Sequence, residues 1–417
     1  MAARREALRV AGAAVARRMN ADQSDRCGPY LPCPRCGGSA RYAGRRDKVL
    51  TTVLGEITLS RAYYHCERCA TGFCPRDRAL GTEDGSLSPH VLRMVGIVGA
   101  RVSFQEGHQL LQELAGITVA TKQVEREAER LGDQIMQDEL QVTEPDNSEE
   151  LPPTLYMGLD GTGVPMRASE LVGRRGKQQD GSAKTREAKL VTVWSAEGRD
   201  EQGVPVRDQG SVSYSAAIES AASRDTDKEL SQFAQRVGRE AARRRFQQAQ
   251  RRAVLGDGAS WIWNLASELF PNAIQIVDRY HADEKLGTAG KAIYGMGTDL
   301  ARQWTHERCT ELKAGNLDAV LSALGAYFTV KEARECHNYI KTNRRRMRYD
   351  LFHAAGLCTS SAVEESGCKR VFALRLKQGG MFWTVHGANA ITALRCCRLS
   401  GRFEDFWERR AAQRRAG

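Results

Sequence analysis

The chain has 417 residues, too many for one ordinary hydrophobic core, so about two to four domains are expected. Its 41% hydrophobic and 27% charged residues exclude a disordered chain, and no apolar run approaches the ~18 residues of a membrane span. A formal net charge of +11 favours a polyanionic partner, because phosphate backbones attract Lys and Arg directly and by releasing condensed counterions.

The first segment, "MAARREALRVAGAAVARRMN", is Ala- and Arg-rich and nearly free of acid. It lacks serine and contains Glu6, so it reads as a basic amphipathic helix of a cytoplasmic protein and not as a transit peptide. The chain carries twelve cysteines, six of them within the first 74 residues. Cys33-Pro-Arg-Cys36 and Cys66-Glu-Arg-Cys69 have the spacing by which a tight turn offers two thiolates to tetrahedral zinc. The 29 residues between the pairs are explained by "VLTTVLGEITLSRAYYHC", two β-rich runs around Leu-Gly-Glu that form a hairpin and return the second pair to the first. Four thiolates leave no open coordination position, so this zinc ribbon would be structural. The competing reading is redox or free cysteines in a reducing compartment. Cys27 and Cys74 flank the module as substitute ligands or buried thiols, and the six later cysteines read as small buried hydrophobes.

From Ser88-Pro89, a cap and first-turn pair, the pattern becomes helical. "SFQEGHQLLQELAG" places Phe104, Leu110, Leu111 and Leu114 on one face and closes at Gly116. "ITVATKQVEREAERLG" starts a second helix, with Thr121 as cap and Val124, Ala128 and Leu131 inward. The pair is helix-turn-helix-like, a pattern shared by DNA readers and ordinary helical hairpins. "TEPDNSEELPP", 143–153, is acidic, Pro-containing and poor in apolar residues, as a linker is.

Strands and helices then alternate. Leu155–Leu159 reads as a strand ending at Asp160 in a Gly-rich turn; "KLVTVWSA" and "SVSY" are two more, and a charged helix spans about 226–247. "AVLGDGASWIWNLASELF" repeats the arrangement of apolar run, acid and glycine at Asp257, then adds a helix. "AIQIVDRYH" ends on Asp278, three residues before His281. Asp160 and Asp257 thus sit at the ends of buried strands, where two carboxylates repel unless a cation lies between them; Mg²⁺ fits that donor set best. A third acid should come from a helix, and "SSAVEESGCKRVFALRLKQGGMFW" offers Glu364 and Glu365, with Lys369 and Arg370 a turn later. Any one such Glu alone would read as a solvated surface acid.

Basic runs lie at 173–177, 243–252, 341–348 and 409–415. "GKQQDGSAKT" nearly imitates a P-loop, but Lys-Thr arrives two residues late and no apolar-faced helix comes after it, which excludes nucleotide hydrolysis. The segment reads as a basic hairpin tip, making Arg174, Arg175, Lys177 and Lys184 DNA-contact candidates, with Lys369, Arg370, Arg375 and Lys377 a second set. Trp261 and Trp263 could stack bases, though such a helix puts one Trp in the core; Trp383 and His386 carry the same ambiguity.

"DGTGVPM", "GRRGKQQDGSAKTREAKL", "VLGDGASWIWNLASELFP", "IQIVDRYHA" and "EESGCK…RLKQGGMFWTVHGANAI" together resemble the ISKra-type insertion-sequence transposases, DDE enzymes related to Mutator-like elements, from about Cys33 to about Trp407. The resemblance implies an α/β, RNase H-like mixed-sheet core with a helical insertion, preceded by the zinc ribbon and the helical DNA-binding segment. It implies Asp160, Asp257 and Glu365 as the catalytic acids, Glu364 remaining the alternative third acid and Asp278 and His281 accessory. The implied chemistry is cleavage and joining of transposon ends with Mg²⁺ or Mn²⁺, two ions about 4 Å apart. Transposon-end and target DNA would be the partners, a homodimer or larger assembly the working form, and the nucleoid-associated cytoplasm the location. The expected organisation is 1–85 (N-terminal helix and ribbon), 86–142 (helical), 143–153 (linker), 154–285 (first part of the core), 286–350 (helical insertion) and 351–417 (C-terminal part of the core). "EKLGTAGKAIYGMGTDLARQWTHERCTELKAGNLDAVLSALGAY", with helical periodicity and no strand signal, supplies the insertion. The rival readings are a zinc-ribbon DNA-binding regulator with an inactive core and a structure-specific DNA nuclease.

Overall fold

The structure, a computed structural model, describes residues 2–141, 150–176, 178, 181–201, 203–222, 229–360 and 367–416. The chain divides into two compact units, Met1–Ile135 with Arg402–Gly417, and Met136–Gly401. Among the described residues no helix is long and apolar enough to cross a membrane.

In the first unit the Ala-rich segment forms α1 (Ala2–Ala21), as its propensity favours. Its Ala16 and Met19 pack on Leu50, Ile57 and Leu59. Those belong to β2 (Ser39–Thr52) and β3 (Gly55–Cys66), the predicted hairpin, which β1 (Tyr30–Pro32) and β4 (Thr71–Phe73) extend to a four-stranded antiparallel sheet. Thr52 pairs with Gly55 across a two-residue turn, and the register shifts between Tyr42 and Arg45, next to Gly44 at φ +97°. Two buried carboxylates lock this sheet to its surroundings. Asp25 accepts from Arg45, Arg76 and the Ala62 amide, and Asp77 from Arg61 and Lys48. A short helix, α2 (Pro75–Leu80), carries Arg76 and Asp77.

Ser88 and Pro89 begin α3 (Pro89–Arg101), with the Ser88 hydroxyl accepting from the Val91 amide. Ser103 caps α4 (Phe104–Leu110), which runs on through a wider turn, Leu111–Ala115, and stops at Gly116 with φ +72°. The next helix, α5 (Thr121–Gln141), buries Val124, Ala128 and Leu131 as expected. Thr121 is its first residue and not its cap, because the Ala120 carbonyl already accepts the Gln123 and Val124 amides. Residues 142–149, most of the expected linker, lie outside the described residues.

The second unit is built on a five-stranded mixed sheet. Its strands are β5 (Thr154–Pro165), β6 (Thr185–Trp194), β9 (Ser213–Ala217), β10 (Arg251–Gly256) and β11 (Ile274–Val277), in spatial order β11-β10-β5-β6-β9; a two-strand ribbon of β7 (Gly198–Arg199) and β8 (Pro205–Val206) stands apart. β11, β10 and β5 are parallel, while β6 and β9 continue antiparallel. The helices α6 (Gln232–Arg243) and α7 (Ser260–Leu269) supply Phe233, Val237, Ile262 and Leu265 to its core.

Three strands differ from their expected bounds: β6 begins at Thr185 and not Lys189, β9 covers Ser213–Ala217 and not 211–214, and β5 is longer. β5 does not end at Asp160 but runs on to Pro165, paired with β6 throughout. Gly161 and Gly163 serve close approach there and not a turn: a Cβ at Gly161 would lie 2.7 Å from Glu187 Oε1, and one at Gly163 would lie 2.8 Å from Thr185 Oγ1.

After β11 come α8 (Arg279–Tyr294), α9 (Asp299–Lys313), α10 (Leu317–Gly325), α11 (Lys331–Asn343) and α12 (Tyr349–Ala354); the described residues from 279 to 360 contain no strand. Trp304, Leu312, Val320, Leu324, Ile340 and Tyr349 join the same hydrophobic core as the sheet. A last buried helix, α13 (Val385–Leu399), covers the edge strand β9. Its Asn389 accepts from the Ile218 amide at 2.7 Å, and Ser400 beyond its end accepts from Tyr214 at 2.9 Å.

Candidate functional site

Two places concentrate ligand chemistry. The first is the cysteine group. Cys33, Cys36, Cys66 and Cys69 bring their sulfurs within 4.8 Å of one another, with Cys33–Cys69 at 3.6 Å and Cys36–Cys66 at 3.7 Å. Tetrahedral zinc with Zn–S near 2.3 Å requires sulfurs about 3.8 Å apart, so the four thiols fit the ion. Each pair lies in a tight turn that needs positive φ directly after its second cysteine. Gly37 supplies it at +68°, and Ala70 adopts +51° despite its Cβ. Within the cluster the Thr71 hydroxyl and the neighbouring thiols pull the Cys69 thiol down, while neighbouring thiols and burial push Cys36 up, so the first thiolate forms at Cys69. The flanking cysteines are outside the group: Cys27 is exposed and donates to the Ser24 carbonyl, and Cys74 is buried.

The second is a row of acids across the parallel strands. Leu159 of β5 is registered with Gly256 of β10, which is registered with Val277 of β11. The next residue on each chain is an aspartate: Asp160, Asp257 and Asp278. Each turns one oxygen onto its local backbone, Asp160 to the Gly161 amide (2.6 Å), Asp257 to Ala259 (2.8 Å) and Asp278 to Tyr280 (2.9 Å). Asp278 is almost fully buried and caps α8, whereas Asp160 and Asp257 are half-buried. Burial raises the Asp160 pKa, and the Asp257 carboxylate adds to the rise, while Cys368, the Gly161 amide and His281 oppose it. His281 sits in the first turn of α8, its Nδ1 3.6 Å from Glu284.

This conflict has a measurable consequence. A carboxyl whose folded-state pKa is raised gives stability that is complete below its unfolded value, near 4, and lost as pH rises through the folded value. In buffer free of Mg²⁺ and Mn²⁺, Asp160→Asn therefore melts above wild type at about pH 8, and the gap closes as pH falls below about 4. Equal melting temperatures at the higher pH would show that neither burial nor repulsion penalises the Asp160 carboxylate.

Glu364, Glu365 and Lys177 lie outside the described residues. The described residues resume at Gly367, two positions after Glu365, on the sheet beside the acid row. Gly367 rests on the sheet so closely that a Cβ would meet Leu190 Cδ2 at 2.9 Å, and the Cys368 side chain hydrogen-bonds Asp160. The expectation that Cys368 is merely a small buried hydrophobe is thus corrected; its position beside the acid-bearing segment was the available signal. Lys377 donates to the Thr162 hydroxyl, two residues along β5 from Asp160. Lys369 and Arg370 are exposed, as are Arg174, Arg175 and Lys184, and Arg175 pairs with Ser182 across a hairpin arm.

Arg375 is not at the surface. It is fully buried with its guanidinium 5.0 Å from the Trp383 ring centre, and burial brings its pKa down to about 10. It packs the interior here and presents no face to a phosphate. Trp263 and Trp383 are core residues as well, Trp383 donating to the Leu376 carbonyl; Trp261 is half-buried and His386 exposed. Among the described residues, the cysteine group alone brings three or more His, Cys, Asp or Glu ligand atoms within 4.8 Å of one another. The hard oxygen donors and mutual repulsion of Asp160 and Asp257 nonetheless suit a divalent cation such as Mg²⁺.

A family model described as "Uncharacterised protein family (UPF0236)" matches residues 40–411, a span that begins after Cys33 and Cys36 and includes Cys66, Cys69 and the acid row. The chain belongs to UPF0236. No curated protein matches this UPF0236 member in sequence. A solved structure, "Drosophila P element transposase strand transfer complex", is 10% identical, covers 80% of this chain and 83% of its own, and superposes with a TM-score of 0.29. A superposition that loose carries no argument about the site.

Proposed function

We propose that this UPF0236 chain is a DDE transposase, cleaving and joining transposon ends at a site made by Asp160, Asp257 and Glu365. The observation that carries the reading is the pair Asp160 and Asp257, aligned on adjacent central strands and in electrostatic conflict without a cation. A mixed sheet of three parallel strands, extended antiparallel from β5 by β6 and β9, is the frame an RNase H-like core needs, and it supports the assignment. The long run of helices after β11 supports the expected insertion.

Asp160 and Asp257 would hold Mg²⁺ or Mn²⁺, which supplies Lewis-acid activation of the attacking and leaving oxygens. Glu365 would complete the set, since Cys368 three residues later already touches Asp160. Lys377, fixed on Thr162 beside the row, and the exposed Lys369 and Arg370 would hold phosphates without taking part in bond breaking. The arm bearing Arg174, Arg175 and Lys184, with the zinc ribbon and the helical pair, would bind DNA through its backbone. A dimer or larger assembly would hold two ends, and the protein would work on nucleoid DNA in the cytoplasm. In joining, the 3′-hydroxyl oxygen attacks a target phosphorus, a new P–O bond forms as the old one breaks, and the leaving 3′-oxygen is protonated.

The test is strand transfer in vitro, with a duplex carrying the element's own end, a plasmid target, and Mg²⁺ present or omitted. Mg²⁺-dependent joining is expected. Glu365→Gln should remove it and Glu364→Gln leave it nearly intact; the reverse order reassigns the third acid. Cutting without joining would indicate a structure-specific nuclease, and binding with neither would indicate a regulator with an inactive core.

A further inference from the structure

The turn that carries the second acid is held from outside the sheet. Asp257 and Gly258 connect β10 to α7, and Gly258 has φ +99°, a conformation that favours glycine. From α11, the Tyr339 hydroxyl donates to the Asp257 carbonyl at 2.7 Å. The ring lies so close that a Cβ at Gly258 would meet Tyr339 Cε2 at 2.5 Å. Beyond the ring, Lys285 of α8 sets its ammonium 4.7 Å from the ring centre. Lys285 is one helical turn after His281. Cys336 and Ile340, on either side of Tyr339 along α11, are buried in the main core, so the helix cannot shift freely.

We propose that Tyr339 is a positioning residue for Asp257: its hydroxyl and ring fix the Asp257-Gly258 peptide, so that α11 of the helical segment sets the direction of the second acid. The proposal rests on the reading of Asp160 and Asp257 as ligands of a divalent cation. Its physical basis is that the Asp257 carboxylate direction depends on the peptide plane after it. That plane is held by the tyrosine hydroxyl at the carbonyl and by the ring at Gly258, and the Ala259 amide of the next peptide ties the carboxylate to the same turn through Asp257 Oδ1. Groups that orient a metal ligand without touching the metal typically change affinity or activity 10–100-fold when removed. Nothing in the sequence around Tyr339 marks it, because the contact joins residues 82 positions apart.

The experiment uses the full chain, with wild type, Tyr339→Phe and Asp257→Asn each titrated with Mn²⁺ by electron paramagnetic resonance. Hydrogen exchange of the Ala259 amide and the melting temperature are read on the same samples. Tyr339→Phe keeps the ring and loses only the hydroxyl. Its Mn²⁺ affinity at the site abolished by Asp257→Asn is expected to fall about tenfold. The Ala259 amide should exchange faster, and the melting midpoint should drop by no more than about 4 °C, as for one lost hydrogen bond. Unchanged affinity and exchange overturn the proposal, and so does a weaker affinity that appears only with a larger loss of fold. If Asp257→Asn leaves Mn²⁺ binding untouched, the cation-ligand reading itself fails. Ala259 exchange then decides alone whether Tyr339 holds the turn.

Discussion

Asp257→Asn should reduce metal-dependent strand cleavage and joining about a thousandfold or more while leaving duplex binding within about twofold of wild type. A bound divalent ion contributes several kcal/mol of transition-state stabilisation, and each ~1.4 kcal/mol is tenfold in rate. The substitution keeps the shape of the turn: the asparagine side-chain oxygen still accepts from the Ala259 amide, and the main-chain carbonyl still receives the Tyr339 hydroxyl. What disappears is the charge. Loss of that charge also relieves Asp160, whose pKa the Asp257 carboxylate helps to raise, so the variant has no electrostatic reason to be less stable near neutral pH. Cleavage assays, fluorescence anisotropy on labelled duplex and a thermal melt separate the three effects. A folded variant that loses DNA binding together with cleavage would assign Asp257 to the binding surface and remove it from the chemistry.

Much of this arrangement is legible in the amino-acid order, and the illegible parts share a cause. The two CxxC pairs and the hairpin between them are local patterns, so both the fold and the sulfur cluster can be read from spacing. The strands around Asp160, Asp257 and Asp278 are short apolar runs bounded by polar residues, and each is readable. The length of β5 is not. Glycines that admit a neighbouring side chain have the same one-letter signature as glycines that make a turn, and only the pairing with Thr185 and Glu187 distinguishes them. The burial of Arg375 is equally hidden, since an arginine in a basic run reads as surface until Trp383 is found against it. Cys368 and Tyr339 act across the fold, on Asp160 and on the Asp257 carbonyl, and contacts of that kind leave no periodicity. Function divides the same way: the acids are readable as residues, but what holds them in place is tertiary.

Removing zinc should unfold the cysteine end of the first unit and leave the five-stranded sheet intact. The core around that end is small: Cys33, Ala40, Ala62, Tyr64 and Cys66, with Leu31, Tyr42 and Phe73 at its margin. Two of those buried members, Cys33 and Cys66, would themselves be ligands. Structural zinc in small modules contributes about 10–16 kcal/mol of apparent binding energy, as much as or more than the whole stability of an ordinary domain, about 5–15 kcal/mol. Without the ion, four thiols within 4.8 Å of one another repel as soon as they ionise. The far end of the hairpin has other supports, α1 on Leu50 and Ile57 and the buried Asp25 and Asp77 ion pairs, so unfolding should stop short of it. Cys66→Ser, or chelation of wild type, is therefore expected to raise hydrogen exchange at least tenfold across residues 30–42 and 64–73 and to leave residues 154–165 unchanged. Cys27→Ser, outside the group, should retain one zinc per chain and the wild-type exchange pattern. If purified protein holds no zinc, or its removal leaves exchange in both ribbon segments untouched, the sulfur cluster is held by packing alone and the ribbon is not a metal module.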